Sequence, residues 1–151
     1  MLSQKARYAL RAMLFLAEQP QDQPVFIGEI ADFQNVPKKF LELILLDLKR
    51  RGLVHSVRGR HGGYILARPP EQISFAEIIR TIDGPLALAP CASRTAYRKC
   101  EDCQDEVKCA IRKALIDVRD ATASVLERIT LASSLMPDAP EACDQLVDRT
   151  G

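Results

Sequence analysis

The chain has 151 residues, 47% of them apolar and 27% charged, a balance that suits one water-soluble core and excludes a low-complexity or fibrous chain. Net charge is only +1, but it is split: eleven Lys/Arg stand against six Asp/Glu through Arg68, and ten against fourteen from Pro69 onward. A basic first half is the footprint of a nucleic-acid-binding face as much as of a solvated surface. No run approaches the length of a membrane span, and Lys5, Arg7 and Arg11 interrupt the N-terminal apolar residues that a signal peptide would need. Five cysteines without an export signal point to a cytoplasmic protein, where clustered thiols bind metal or act in redox chemistry more often than they form disulfides.

In chain order, Ser3 caps a first helix whose Leu10, Met13, Leu14 and Ala17 recur at i, i+3, i+4, i+7, and Pro20 ends it. Phe26, Ile27, Ile30 and Ala31 suggest a short second helix. Asn35-Val36-Pro37 is a turn that puts proline at the first position of a third helix, where its missing N–H costs nothing. That helix turns Phe40, Leu41, Ile44, Leu45 and Leu48 inward and Lys38, Lys39, Glu42, Lys49 and Arg50 elsewhere, and Gly52 closes it. The period then changes to two. Residues 53–57 and 64–67 flank Arg58-Gly59-Arg60-His61-Gly62-Gly63, a hairpin with a glycine-rich, basic tip. Ser74-Phe75-Ala76-Glu77 reads as a reciprocal capping box opening a fourth helix that stops at Gly84-Pro85.

Residues 85–105 show no period, and a loop that long is functional or disordered. From Glu106, Val107, Ile111, Ala114, Val118, Ala121, Val125 and Ile129 alternate by four and three. This predicts one helix over 106–135 whose patterned part spans roughly 40 Å at 1.5 Å per residue. Its length suggests a partner helix across a dimer seam, against the plainer reading of packing on its own domain. The expected organisation is a mainly helical fold with a small β-hairpin: a DNA-binding unit over 1–84, a cysteine-rich loop over 85–105, a dimerisation helix over 106–135 and a tail over 136–151.

Four cysteines fall in the loop: Cys91, Cys100, Cys103 and Cys109, spaced Cys-x8-Cys-x2-Cys-x5-Cys. The stretch has few apolar residues to bury, and soft thiolates select zinc, copper(I) or iron–sulfur clusters. Four thiolates also suit structural zinc, although this spacing is not that of a paired Cys-x-x-Cys knuckle. A metal-free thiol–disulfide switch is the third reading; Glu101 and Asp102 oppose thiolate formation, whereas Arg94, Arg98, Lys99 and Lys108 favour it. Cys143 stands alone in the acidic tail and reads as a bystander. A catalytic thiol needs a base or a strand-to-helix setting, and this Cys-x-x-Cys has neither, so the chain does not read as an enzyme.

Three helices followed by a Gly/Arg-tipped hairpin is the order of a winged helix-turn-helix. Such a fold offers the N-terminal residues of its third helix to the major groove. Lys38 and Lys39 suit phosphate or guanine, and Glu42 suits a cytosine amine. Arg58 or Arg60 at the hairpin tip suits a narrow minor groove, with His61 touching phosphate and the glycines letting the backbone approach the duplex.

These residues also carry a family resemblance. The N-terminal Ser3-x-x-x-Arg7-Tyr8-Ala9-Leu10, then Phe40-Leu41-Glu42, then the run from Leu53 through Arg58-Gly59-x-x-Gly62-Gly63-Tyr64 resemble the winged-helix regulators that include IscR, NsrR, RirA and CymR, over roughly residues 1–135. The resemblance implies a homodimeric regulator, most simply a repressor, that binds a double-stranded DNA operator and dimerises through a long C-terminal helix. Cluster-binding members carry three cysteines before that helix, the last two separated by five residues as in Cys103 and Cys109. Members such as CymR lack them and act through a protein partner. This chain departs in a longer gap from Cys91 to Cys103, in the extra Cys100, and in Arg112 and Arg7 where two branches of the family place a histidine or carboxylate ligand. The resemblance therefore implies an all-cysteine iron–sulfur site on Cys91, Cys100, Cys103 and Cys109 that senses iron, nitric oxide or redox state, with zinc as the alternative metal.

Overall fold

The structure, a computed structural model, describes residues 2–136; the tail and Cys143 lie outside the described residues. Among the described residues there are six α-helices and one antiparallel hairpin: α1 (Gln4–Glu18), α2 (Ile27–Gln34), α3 (Lys38–Arg50), β1 (Val54–Val57), β2 (Gly63–Leu66), α4 (Phe75–Ile82), α5 (Ala110–Arg128) and α6 (Leu131–Leu135). Short 3₁₀ turns occupy Pro70–Gln72 and Pro90–Ala92.

The caps follow the local chemistry. The Ser3 hydroxyl accepts from Ala6 N–H at 3.0 Å and donates to the Asp83 carboxylate, while Ser3 N–H donates to the same carboxylate at 2.9 Å. One side chain thus starts α1 and ties it to the end of α4. Ser74 accepts from Glu77 N–H as the capping box requires, but the Glu77 carboxylate pairs with Arg68 at 2.6 Å, so the reciprocal half of the box is not made. Pro37 lies one residue before its expected place, as the cap of α3. Gly52, at φ 69°, takes the left-handed position just past α3, which favours glycine.

One core holds the helices together. Met13 and Leu16 of α1, Ile30 of α2, Leu41, Ile44, Leu45 and Leu48 of α3, Leu53, Val54, Ile73 and Ile78 are buried there. The buried face of α1 is Ala6, Ala9, Ala12, Met13 and Leu16, rotated from the stripe expected at Leu10, Leu14 and Ala17, which lie half-buried. The three alanines bring the α1 backbone close to its neighbours, and the Tyr8 ring meets Phe40 edge-on at 5.8 Å. Phe26, read with the second helix, lies just before α2 as its cap residue and is exposed.

The single helix expected over 106–135 is instead two. α5 begins at Ala110 and ends at Arg128, with Ile129 just past it, and Thr130 caps α6 through Ser133 N–H at 3.1 Å, with Ser133 Oγ accepting from Thr130 N–H. The break returns the chain to the core. Phe75 N–H donates to Ile129 O at 2.9 Å, Leu131 N–H donates to Ile73 O at 3.0 Å, and the Leu131 side chain is buried among the core residues.

The hairpin pairs Val54 with Leu66 and Val57 with Gly63. Val25 adds a bridge to Tyr64, with mutual N–H···O bonds of 2.9 and 2.8 Å. That bridge explains a glycine. A Cβ on Gly63 would overlap the Val25 carbonyl, and one on Gly62 would overlap the Val57 carbonyl. Both are required by the chain's own backbone, not only by approach to a duplex. Gly63→Ala is expected to cost about 1–3 kcal/mol of overpacking and strain and to lower the urea midpoint; an unchanged midpoint would contradict this account of the bridge.

Candidate nucleic-acid interface and cysteine loop

The DNA-facing candidates lie on two neighbouring elements. Lys38, Lys39 and Glu42 occupy the first turns of α3 and are exposed. The Lys38 ammonium stands 5.6 Å from the centroid of the Phe26 ring, a contact that limits its wandering. In the hairpin, Gly62 N–H donates to Gly59 O at 3.0 Å, which places Arg60 and His61 at the turn's centre. Arg58, Arg60 and His61 are exposed, and among the described residues none of these six side chains is held in an ion pair. Lys49, expected with the outward charges of α3, donates to Ser56 Oγ of β1 at 2.6 Å and fixes helix to hairpin. Lys5 bonds Asp47 at 2.7 Å and joins α1 to α3. α3 is therefore braced over its later turns while its first turns stay open.

Two residues of this surface were not anticipated from sequence. Leu43 and Leu46 of α3 are exposed, at 56% and 41%. The signal was present: Leu41-Glu42-Leu43-Ile44-Leu45-Leu46-Asp47-Leu48 carries more apolar residues than one helix face can bury.

The cysteines run along the loop from its 3₁₀ turn to the start of α5. Cys91, in the 3₁₀ turn Pro90–Ala92, is buried; Cys100, Cys103 and Cys109 are partly exposed, and all four are free thiols. Cys109 caps α5, its sulfur accepting from Arg112 N–H at 3.4 Å. The Arg112 guanidinium donates to the Cys91 carbonyl at 3.0 Å, and Arg119, two turns on, donates to the Ala92 carbonyl. Arg112 thus holds the first and last cysteines of the motif to one point of the helix. The neighbouring Cys91 thiol, partial burial and the charges of Cys91, Asp102 and Cys103 push the Cys100 pKa upward. Neutral thiol is favoured there in the metal-free chain, in line with the acidic neighbours.

The basic residues expected to offset a tetrathiolate are partly committed elsewhere. Arg94 bonds Asp120 at 3.0 Å, and Lys108 lies 3.7 Å from Asp105. Arg119 also bonds Asp120, and chiefly this bond holds the Asp120 carboxyl below the usual range. The Tyr97 hydroxyl donates to Glu106, which pushes the phenol upward and staples the loop across the cysteines. The donor set fits a thiolate-loving metal in kind. Its arrangement is open: among the described residues, no three Cys, His, Asp or Glu side chains converge at metal-binding range.

α5 presents two faces. Arg112, Leu115, Ile116, Arg119, Ala123 and Leu126 are half-buried, whereas Ile111, Ala114, Val118 and Ala121 of the predicted heptad stripe are exposed, Ile111 at 73%. No α5 residue is fully buried. Among the described residues no helix is long and apolar enough to cross a membrane.

Known proteins share this arrangement. The chain matches the family model Rrf2, described as an iron-dependent transcriptional regulator, over residues 2–136. It is 45% identical over 145 residues to an rrf2-like HTH-type transcriptional regulator of Rhodobacter capsulatus, covering 94% of this chain and 97% of that one. CymR, the global cysteine regulator of Bacillus subtilis, superposes with a TM-score of 0.71 at 33% identity, covering 87% of this chain and 93% of that one. IscR of T. potens superposes with a TM-score of 0.70 at 32% identity, covering 89% and 85%. The helices and hairpin are accordingly those of a winged-helix DNA-binding protein, and the family's members regulate transcription rather than catalyse a reaction. The chain belongs to the Rrf2 family of transcriptional regulators.

Proposed function

We propose that the chain acts as a homodimeric repressor whose affinity for its operator responds to an iron–sulfur cluster on Cys91, Cys100, Cys103 and Cys109, and so to iron, nitric oxide or redox state. The observation that carries this reading is the position of the cysteines at the joint between loop and α5. The Cys91 carbonyl is held by Arg112, Cys100 neighbours Cys91, and Cys109 is the α5 cap itself. A change in ligation there acts on the start of the helix that would meet the second protomer. The cluster, when bound, supplies sensitivity to oxidants and to iron supply; the chain supplies thiolates, a helix N-terminus and two arginine anchors.

The dimer reading rests on the exposed stripe of α5. An apolar row at heptad spacing, open to water, is the surface a second copy would bury. The DNA reading assigns Lys38, Lys39 and Glu42 to the major groove and Arg58, Arg60 and His61 to the hairpin's contact with minor groove and phosphate.

Protein purified without oxygen is expected to contain iron and acid-labile sulfide in matching amounts, and Cys103→Ala to lose both. Stoichiometric zinc without sulfide would replace the sensor with a structural clip. Val118→Asp is expected to give a monomer in light scattering, and a persisting dimer would move the seam off α5. On a duplex of random sequence, Arg60→Ala is expected to flatten the slope of log affinity against log salt by about one unit; an unchanged slope would remove Arg60 from the interface.

A further inference from the structure

The outward face of α3 is not the polar surface that a solvent-facing helix would carry. Lys39, Glu42, Leu43 and Leu46 stand at i, i+3, i+4 and i+7, so they form one stripe, away from the Leu41, Ile44, Leu45 and Leu48 stripe that the core buries. Half of that outward stripe is leucine, exposed at 56% and 41%. The core does not use these side chains: they are absent both from its buried set and from the partly buried residues packed against it. They share the face that presents Glu42 to base edges, and this continuity with the DNA surface decides between occupants. A buried protein–protein patch would not begin with a lysine and a glutamate that have no partners among the described residues.

From this stripe we infer that Leu43 is a specificity-determining residue that packs against the 5-methyl group of a thymine in each operator half-site, with Leu46 extending the contact one turn further along α3. The reading rests on the DNA-binding assignment of α3. In the major groove, hydrogen-bond donors and acceptors identify most base edges, but the thymine methyl is an apolar feature that only an apolar side chain reads favourably. Glu42 and Leu43 then divide the work. The carboxylate accepts from a cytosine amine and disfavours the acceptor edges of guanine, while the leucine favours thymine at a neighbouring step. Leucine here makes no hydrogen bond to a base, so its contribution is the removal of one methyl group from water.

The test uses the full-length protein. Bound duplexes are selected from a randomised pool, and each thymine of the selected site is then replaced in turn by deoxyuridine, which removes the methyl and leaves the base-pairing edge intact. At one position per half-site, affinity is expected to fall about fourfold, the value of one buried methyl group. Leu43→Ala is expected to bind the thymine and uracil duplexes equally, with an unaltered thermal midpoint because the side chain is exposed. If the wild type is indifferent to uracil everywhere, or Leu43→Ala keeps the full thymine preference, the inference is overturned. Loss of dimerisation in Leu43→Ala would overturn it in favour of a second copy of the chain at this face. If the wild type selects no duplex at all, the DNA-binding assignment fails first and the inference with it.

Discussion

α5 is tied at its start to the cysteine loop and at its end to the core that α3 shares. At its start, Arg112 and Arg119 hold the carbonyls of Cys91 and Ala92. At its end, backbone bonds between Phe75 and Ile129 and between Leu131 and Ile73 stitch the chain to the start of α4, and Leu131 fills the common core. A helix with no fully buried residue would otherwise be a loose strut. Under the proposed function, a displacement at its cysteine end would reach α3 through α4, which packs on both α5 and α3, and through the core rather than through an open linker.

The same constraint gives the cysteine loop its leverage. Residues 85–105 contain little regular structure, so their placement depends on a few polar anchors: the two arginines, the Tyr97–Glu106 bond, and Ser93 accepting from Ala96 N–H at 3.0 Å. Bonds of this kind at partly exposed sites are individually modest. Ligation of four thiolates would outweigh bonds of this size, so the loop's placement would follow the metal rather than its own polar anchors. On the DNA side the balance differs. α3 is braced by Lys5–Asp47 and Lys49–Ser56 and presents a fixed stripe, so regulation through the spacing of two such helices requires no change within α3 itself.

Much of this was legible in the residues, and the failures have physical causes. The period of α3, the hairpin tip, the caps at Ser3 and Ser74 and the cysteine spacing are local signals, and local structure follows them. The break at Ile129 was missed because the heptad stripe runs straight into it; Thr130 and Ser133 cap each other there and were readable as a helix start. The roles of Gly63, Arg112 and Arg119 were not readable, because their partners lie 38, 21 and 27 residues away. The outward leucines were overlooked for a different reason: Leu43 and Leu46 belong neither to the inward apolar set nor to the outward charged set read from α3, and they were given no role. Whether four thiolates close on one metal is likewise a matter of loop conformation that spacing alone does not decide.

The central claim is that ligation at the cysteine loop and occupancy of the operator are coupled through α5. It is tested most directly by measuring, on one selected duplex and at one salt concentration, the affinity of the same dimer with its metal and after the metal has been removed by a chelator without oxygen. The account predicts a difference of about 5- to 150-fold, the range of ordinary allosteric coupling. Equal affinities, with the dimer intact in both states, would contradict it.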